Sequence, residues 1–304
     1  MITATETRKR ARESLKGKWG KAALITLCFA LVEWLIGFVV GLAENEDALS
    51  FILSIANVII TVPITFGIWY SFMKLKRDED VGVFDFLKLG FSNFKRSWKI
   101  SLNILRKLIL PIICTFVASI ILIIGCIATG VSIFNSATNV VNNNYSNYNN
   151  YYNYDIDDDI DDDISSILAK NNISSDTNFS LGALGGFGIA FIVIGFVALM
   201  ISYVYTFIKS LNYVLANFIA IDNPDLEEKA AVEKSKELMT GNRGNYFVLT
   251  LSFIGWAILA VFTLCIGFLW LLPYIYVAQI CFYEHLAGKY KDTAEVEAEV
   301  INEN

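Results

Sequence analysis

"NYFVLTLSFIGWAILAVFTLCIGFLWLLPYIYVAQICFYEHL" (residues 245–286) decides the fold class. It is one apolar stretch of about 40 residues, whereas a helix crosses the hydrocarbon core of a bilayer in roughly 20. One helix of that length is excluded, so the stretch is read as two spans, 246–264 and 267–286. They fold back near "CIGF" (Cys265–Phe268) in a tight hairpin.

Working outward, four further runs have spanning length: 21–43, 49–73, 108–133 and 183–208. The composition agrees, with 55% hydrophobic and 18% charged residues in a chain of 304. A soluble domain of this length sits nearer 45–50% apolar and about 25% charged. The expectation is an all-α, polytopic membrane bundle of six helices arranged as three in–out–in hairpins. It forms a single membrane domain over 1–304.

The net charge of −6 conceals a segregation of sign. Lys and Arg number seven up to Lys21, nine in the 74–107 loop, five in the 209–245 loop and two in the 288–304 tail. Only Lys170 falls in the 134–182 loop. Because cations accumulate on the cytoplasmic side, both termini are expected in the cytoplasm of a multi-pass plasma-membrane protein. "GLA" (Gly41–Ala43) imitates a signal-peptide cleavage site, but the preceding apolar run exceeds 20 residues. Retention of the first span is therefore expected.

Three segments between spans carry helical patterning. In "RKRARESLKGKWGK" (Arg8–Lys21), Ala11, Leu15 and Trp19 recur every four residues among cations. That pattern predicts an N-terminal interfacial helix within 1–20, suited to anionic inner-leaflet lipids. In "FDFLKLGFSNFKRSW", Phe84, Leu87, Phe91, Phe94 and Trp98 make a similar stripe. For both, anchoring and orienting the spans is favoured over specific recognition. A third helix is predicted over 222–241, with Pro224 in its first turn, Gly241 as its stop and a thin apolar face of Ala230, Val232, Leu238 and Met239.

"ESLKGKWGKAALITL" (Glu13–Leu27) and "ELMTGNRGNYFVLTL" (Glu237–Leu251) share Glu, a GxxG pair, Thr and Leu at matching offsets. Pro63 and Pro273 then fall in the return spans, and "YSFMK" (Tyr70–Lys74) rhymes with "YTFIK" (Tyr205–Lys209). These matches predict hairpins descended from one unit.

Catalytic signatures are sparse. His285 is the single histidine, and neither a P-loop nor a nucleotide fingerprint occurs. The five cysteines lack metal-ligand or CxxC spacing and read as small buried hydrophobes. "GALGGFG" (Gly182–Gly188) reads as close helix packing. No catalytic residue, metal or cofactor is assigned, and nucleic acid is not an expected partner. The bilayer and its anionic inner-leaflet lipids are.

The candidate intramembrane polar site is Glu33, with Asn57 and Gln279 as possible partners. A charge at mid-span costs about 2.5–3.5 kcal/mol on insertion scales. Glu33 is therefore either a proton or substrate-ammonium site or a member of an interhelical hydrogen bond. Glu284 and His285 read as capping or snorkelling groups. The expected role is non-enzymatic, organising the envelope as a scaffold; the alternative is a small-molecule or lipid transporter with Glu33 in the pathway.

"ARESLKGKWG", "KSKELMTGNRG" and "LSFIGWAILAVFTLCIGFLWLLPYIYVAQICFYEHL" together resemble the bacterial integral-membrane family called domain of unknown function 975. The resemblance implies membrane architecture and supplies no activity. The chain also resembles the membrane portion of some bacterial glycerophosphodiester phosphodiesterases, without their catalytic domain. "NNNYSNYNNYYNYDIDDDIDDDI" (142–164) looks like an insert into a more compact pattern, with seven Asp and no Lys or Arg. It is expected as an external low-complexity loop within 134–182, too repulsive for stable order unless cations gather weakly along it.

Overall fold

The computed structural model describes residues 3–43, 47–152 and 175–289, and every regular element among them is helical. In chain order these are α1 (Ala4–Leu15), α2 (Trp19–Gly41), α3 (Asp47–Lys76), α4 (Asp85–Ser92), α5 (Phe94–Tyr152) and α6 (Ser175–Ser210). A 3-10 turn (Leu211–Tyr213) leads to α7 (Ala216–Asp222), α8 (Glu228–Met239), α9 (Arg243–Leu251), α10 (Ile254–Phe262) and α11 (Phe268–Leu286). The described residues fall into two compact units, one within Met1–Lys107 and Lys209–Asn304, the other within Leu108–Ile208.

The first unit is built on the repeat visible in the sequence. α1 and α8 each have 12 residues and end in the same turn. Lys16 (φ −59°, ψ 125°) matches Thr240 (φ −66°, ψ 121°), and Gly17 and Gly241 follow at φ +80° and +83°. Glycine adopts this left-handed geometry without the Cβ clash that other residues meet. Thr7, Ala11 and Leu15 are buried on α1, as Ala231, Ser235 and Met239 are at the same offsets on α8. Beyond the turns, Ala22 and Ile25 correspond to the buried Tyr246 and Leu249. Thr26 and Thr250 bond back to the carbonyls of Ala22 and Tyr246 at 3.0 Å.

A third copy lies in α4 and the start of α5. Phe86 and Gly90 are buried four residues apart, Asn93 is the joint, and Ser97 and Ile100 are buried beyond it. Each short helix packs on the end of a return leg: α4 on the preceding α3, α8 on the preceding 3-10 turn and α7, and α1 on α11 at the far end of the chain. Two of the legs, α3 and α11, end alike. Arg77 N bonds Met73 O and Glu79 N bonds Lys74 O, as Ala287 N bonds Tyr283 O and Lys289 N bonds Glu284 O. Asp78 (φ 61°) and Gly288 (φ 67°) occupy the left-handed position of the two turns.

Burial divides the legs lengthwise. In α3, Phe51, Ile52 and Val58 are exposed, whereas Ile64, Phe66, Ile68, Phe72 and Met73 are buried. The change falls at Pro63. Proline removes one backbone donor and leaves the carbonyl four residues earlier without its helical partner; here that carbonyl, Ile59 O, accepts from Trp98 Nε1 at 3.3 Å. α11 changes in the same way after Trp270, just before Pro273. Phe72, Phe218 and Phe282, one from each leg, are all buried.

Among the described residues five helical segments are long and apolar enough to cross a membrane: Trp19–Gly41, Ala48–Lys76, Phe94–Asn142, Gly186–Asp222 and Arg243–Phe262. The predicted sixth span forms α11, but much of its length from Leu271 onward is covered by protein. The predicted hairpin between the last two spans is present. Cys265 N bonds Ala260 O, and Thr263 Oγ1 accepts from Gly267 N at 2.9 Å. A Cβ on Gly267 would lie 2.9 Å from Ala260 Cα, so glycine is needed for this close return.

Several expectations require correction. The stripe predicted across Phe84–Trp98 is broken at Asn93; Phe86 and Gly90 face protein, while Phe84 and Phe91 are exposed. Ala11 and Leu15 are likewise buried on the protein side of α1 rather than presented outward. The helix predicted over 222–241 is shorter, Glu228–Met239, because Asp222 closes α7 and Pro224 lies in the intervening turn. Cys281 is buried as predicted, but Cys114, Cys126 and Cys265 are exposed.

The second unit pairs α5 with α6 through glycine. A Cβ on Gly125 would meet Ile192 N at 2.7 Å, on Gly188 it would meet Thr129 N at 2.8 Å, and on Gly195 Leu122 N at 2.7 Å. Thr115 and Thr206 hydroxyls lie 3.4 Å apart along the same pair. Helix continues on both sides of the predicted 134–182 loop, to Tyr152 and from Ser175. Asparagine costs only about 0.7 kcal/mol against alanine in a helix, and neither Pro nor Gly interrupts 131–152. The acidic run 155–163, its proposed cation binding and the tail beyond Lys289 lie outside the described residues.

Candidate functional site

The structure brings two of the three predicted polar residues together. Thr61 on α3 has its hydroxyl 3.0 Å from Asn57 Oδ1 and 3.4 Å from Glu33 Oε2 on α2. One hydroxyl proton serves one acceptor at a time, so Thr61 donates either to Asn57 within α3 or to Glu33, and only the second bond ties α3 to α2. Glu33 Oε1 has no hydrogen-bond partner among the described residues. Gln279 lies elsewhere, near Tyr246 of α9, and its Oε1 has no hydrogen-bond partner among the described residues. Sequence reasoning misses Thr61, because a threonine within an apolar run gives no signal of its own.

A larger polar constellation occupies the place where the three return legs end. Arg77, just beyond α3, reaches Asp222 Oδ1 at 2.9 Å and Glu284 Oε1 at 3.3 Å. Lys76 pairs with Glu284 Oε2. Asp222 Oδ2 accepts from Tyr283 Oη at 2.7 Å and from Lys289 Nζ at 2.5 Å. The carboxylate side chains are nearly covered, Asp222 being 5% and Glu284 9% exposed. Beside them, Trp69 rests edge-on against Phe218 and Tyr276, and Phe218 stacks on Tyr283 at 5.8 Å.

Arg77 and Asp222 both lie beyond the apolar runs 49–73 and 183–208 that precede them. Burial alone would push the Asp222 carboxyl up. The bonds from Lys289 and Tyr283, with the charge of Arg77, outweigh it and hold the group below the usual carboxylate range. Arg77 is held above its ordinary value: its own burial opposes the charge, and Asp222 and Glu284 more than compensate. Three cations and two carboxylates therefore pair beside aromatic side chains, both carboxylates fully compensated and one positive charge left over. Such an arrangement joins helices; it presents neither a nucleophile with a base nor a set of metal donors.

A second tie acts from α5. Arg96 Nη2 donates to Asn223 O at 2.8 Å and Leu226 O at 2.9 Å, and Nη1 donates to Pro224 O. One guanidinium thus gathers the carbonyls of the α7–α8 turn. In the sequence Arg96 is one more cation beside the Phe84–Trp98 stripe; its planar donor fork suits this clamp better than a lysine would.

A protein whose described residues form only helices, five of them apolar and of membrane-spanning length, is the class that these features define. The family model described as "Protein of unknown function (DUF975)" matches residues 1–157 and 162–290, and the chain belongs to that family. The match continues through most of the Asn/Tyr/Asp stretch, so only 158–161 falls outside the pattern rather than the whole loop. No curated protein and no solved structure matches the chain.

Proposed function

We propose that the protein is a non-enzymatic membrane scaffold with an envelope-organising role, resident in the plasma membrane with both termini in the cytoplasm. Six spans enter and return as three hairpins, the third shallower than the first. The short helices and the ion-paired leg ends then form a platform on the cytoplasmic side, where Lys and Arg concentrate. The single observation that carries this reading is the self-contained charge network of Lys76, Arg77, Asp222, Glu284 and Lys289. Its groups are consumed in holding legs together.

The transporter alternative has one observation in its favour. A polar cleft of about 160 Å³ adjoins Thr61 and is lined also by Thr65, Ser97, Ser101 and Asn217. Reconstitution into proteoliposomes separates the readings. The scaffold predicts no flux above protein-free vesicles across a panel of protons, cations and small amines, for wild type and Glu33→Gln alike. Flux present in wild type and abolished by Glu33→Gln would establish transport instead.

A further inference from the structure

A groove of about 440 Å³ runs between α1, the start of α2, α10 and α11. Its volume lies within the range of small-molecule sites, about 300–1,000 Å³. Its two ends differ in chemistry. One end carries Arg8 and Arg12; the other runs along the α10–α11 hairpin toward Gly267, with Trp19, Trp256, Trp270 and Tyr274 on its walls. Trp256 and Trp270 are 56% and 49% exposed, so both rings are open to an occupant of the groove.

The cationic end is built rather than incidental. Tyr274 Oη donates to the Arg8 carbonyl at 3.2 Å, and the Trp19 and Tyr274 rings lie 6.1 Å apart, so α1 is held against the groove wall. Among the described residues Arg8 Nε is shielded from solvent without a hydrogen-bond partner, and neither Arg8 nor Arg12 forms an ion pair. Arg10, between them, pairs with Glu6 at 3.0 Å. A buried guanidinium donor without an acceptor is costly, and an anion supplies that acceptor.

We propose that this groove holds one anionic phospholipid, its phosphate against Arg8 and Arg12 and one acyl chain along Trp256, Trp270 and Leu271. Charge complementarity at one end and continuous apolar wall at the other identify an amphiphile, as opposed to a free anion or a neutral lipid. Trp and Tyr suit such a boundary, since their rings accept both chain and headgroup. The site goes beyond the scaffold reading: it makes lipid composition an input to the position of α1. It stands whether or not that reading holds.

Quenching of tryptophan fluorescence by phosphatidylglycerol with brominated chains tests it, with brominated phosphatidylcholine as the neutral probe and the full chain in mild detergent. Wild type is expected to be quenched at concentrations of the anionic lipid at least about tenfold lower than of the neutral one. The double variant R8Q/R12Q should lose that preference, while K88Q/K95Q, which removes the same charge from positions outside the groove, should retain it. Leu259→Asn, which makes the apolar end polar, should reduce quenching by both lipids with the arginines intact. Equal loss of preference in the two double variants would reduce the effect to diffuse attraction and overturn the site. So would unchanged quenching in R8Q/R12Q, provided thermal unfolding shows that variant folded.

Discussion

Asp222 illustrates how one residue ties elements distant in sequence. It receives bonds from Lys289 and Tyr283 and an ion pair from Arg77, and its carboxyl is held below the ordinary value near 3.8. A carboxylate with a lowered folded value contributes stability that is complete above its unfolded value and lost as pH falls through the folded one. The Asp222 contribution should therefore be constant from neutral pH to about pH 5 and disappear in acid below about pH 4. Asp222→Asn should lower stability at pH 7 by about 2 kcal/mol or more, and the gap to wild type should narrow in acid. Thermal unfolding in detergent across pH measures both, and a gap that widens in acid would contradict the assignment.

Among the elements, the repeated turn gives a matched pair of tests. Gly17 and Gly241 sit at φ +80° and +83°, and a Cβ added to either would meet nothing within 4 Å, so any penalty for alanine is conformational. Gly17→Ala and Gly241→Ala should each cost about 1–2 kcal/mol, and by similar amounts, as read by unfolding. The α3–α4 crossing is steric instead. A Cβ on Gly67 would meet Phe86 O at 1.9 Å, and on Gly90 Pro63 O at 2.3 Å. Gly90→Val should destabilise by about 3 kcal/mol, whereas Gly37→Val, in open space, should leave the unfolding midpoint near wild type.

Much of this level was legible in the sequence. Helical fold class, the reversal near Cys265 and the Glu13/Glu237 repeat follow from apolar run length and matched glycines. The third copy was hidden because α4 joins α5 at Asn93 without a left-handed glycine. The true burial faces of α1 and α4 were also hidden. Periodicity locates an apolar stripe, but whether lipid or protein covers it depends on contacts such as α1 on α11. The Glu33–Asn57 pairing was foreseeable from polar residues in adjoining spans, but Thr61 as its bridge was not. Arg77, Asp222 and Glu284 are far apart in the chain, and only alignment of the leg ends places them at one level.

For the whole molecule, the hairpin proposal makes Cys265 a natural reporter. It is exposed in the α10–α11 turn and free. If the third hairpin crosses the bilayer, a membrane-impermeant maleimide applied to intact cells should label wild type and not Cys265→Ser. Labelling that requires permeabilisation would restrict that hairpin to a shallow, re-entrant course.

The central claim is that the repeated units are held by the ion-paired junction of their return legs, not by the polar clasp around Glu33. The decisive measurement is the thermal unfolding midpoint of Glu284→Gln beside that of Glu33→Gln, in the same detergent. Glu284→Gln leaves Lys76 buried without its counter-charge and should cost about 3–5 kcal/mol. Glu33→Gln retains shape and a hydrogen-bonding group toward Thr61 and should cost no more than about 1 kcal/mol. A larger loss from Glu33→Gln than from Glu284→Gln would contradict the account.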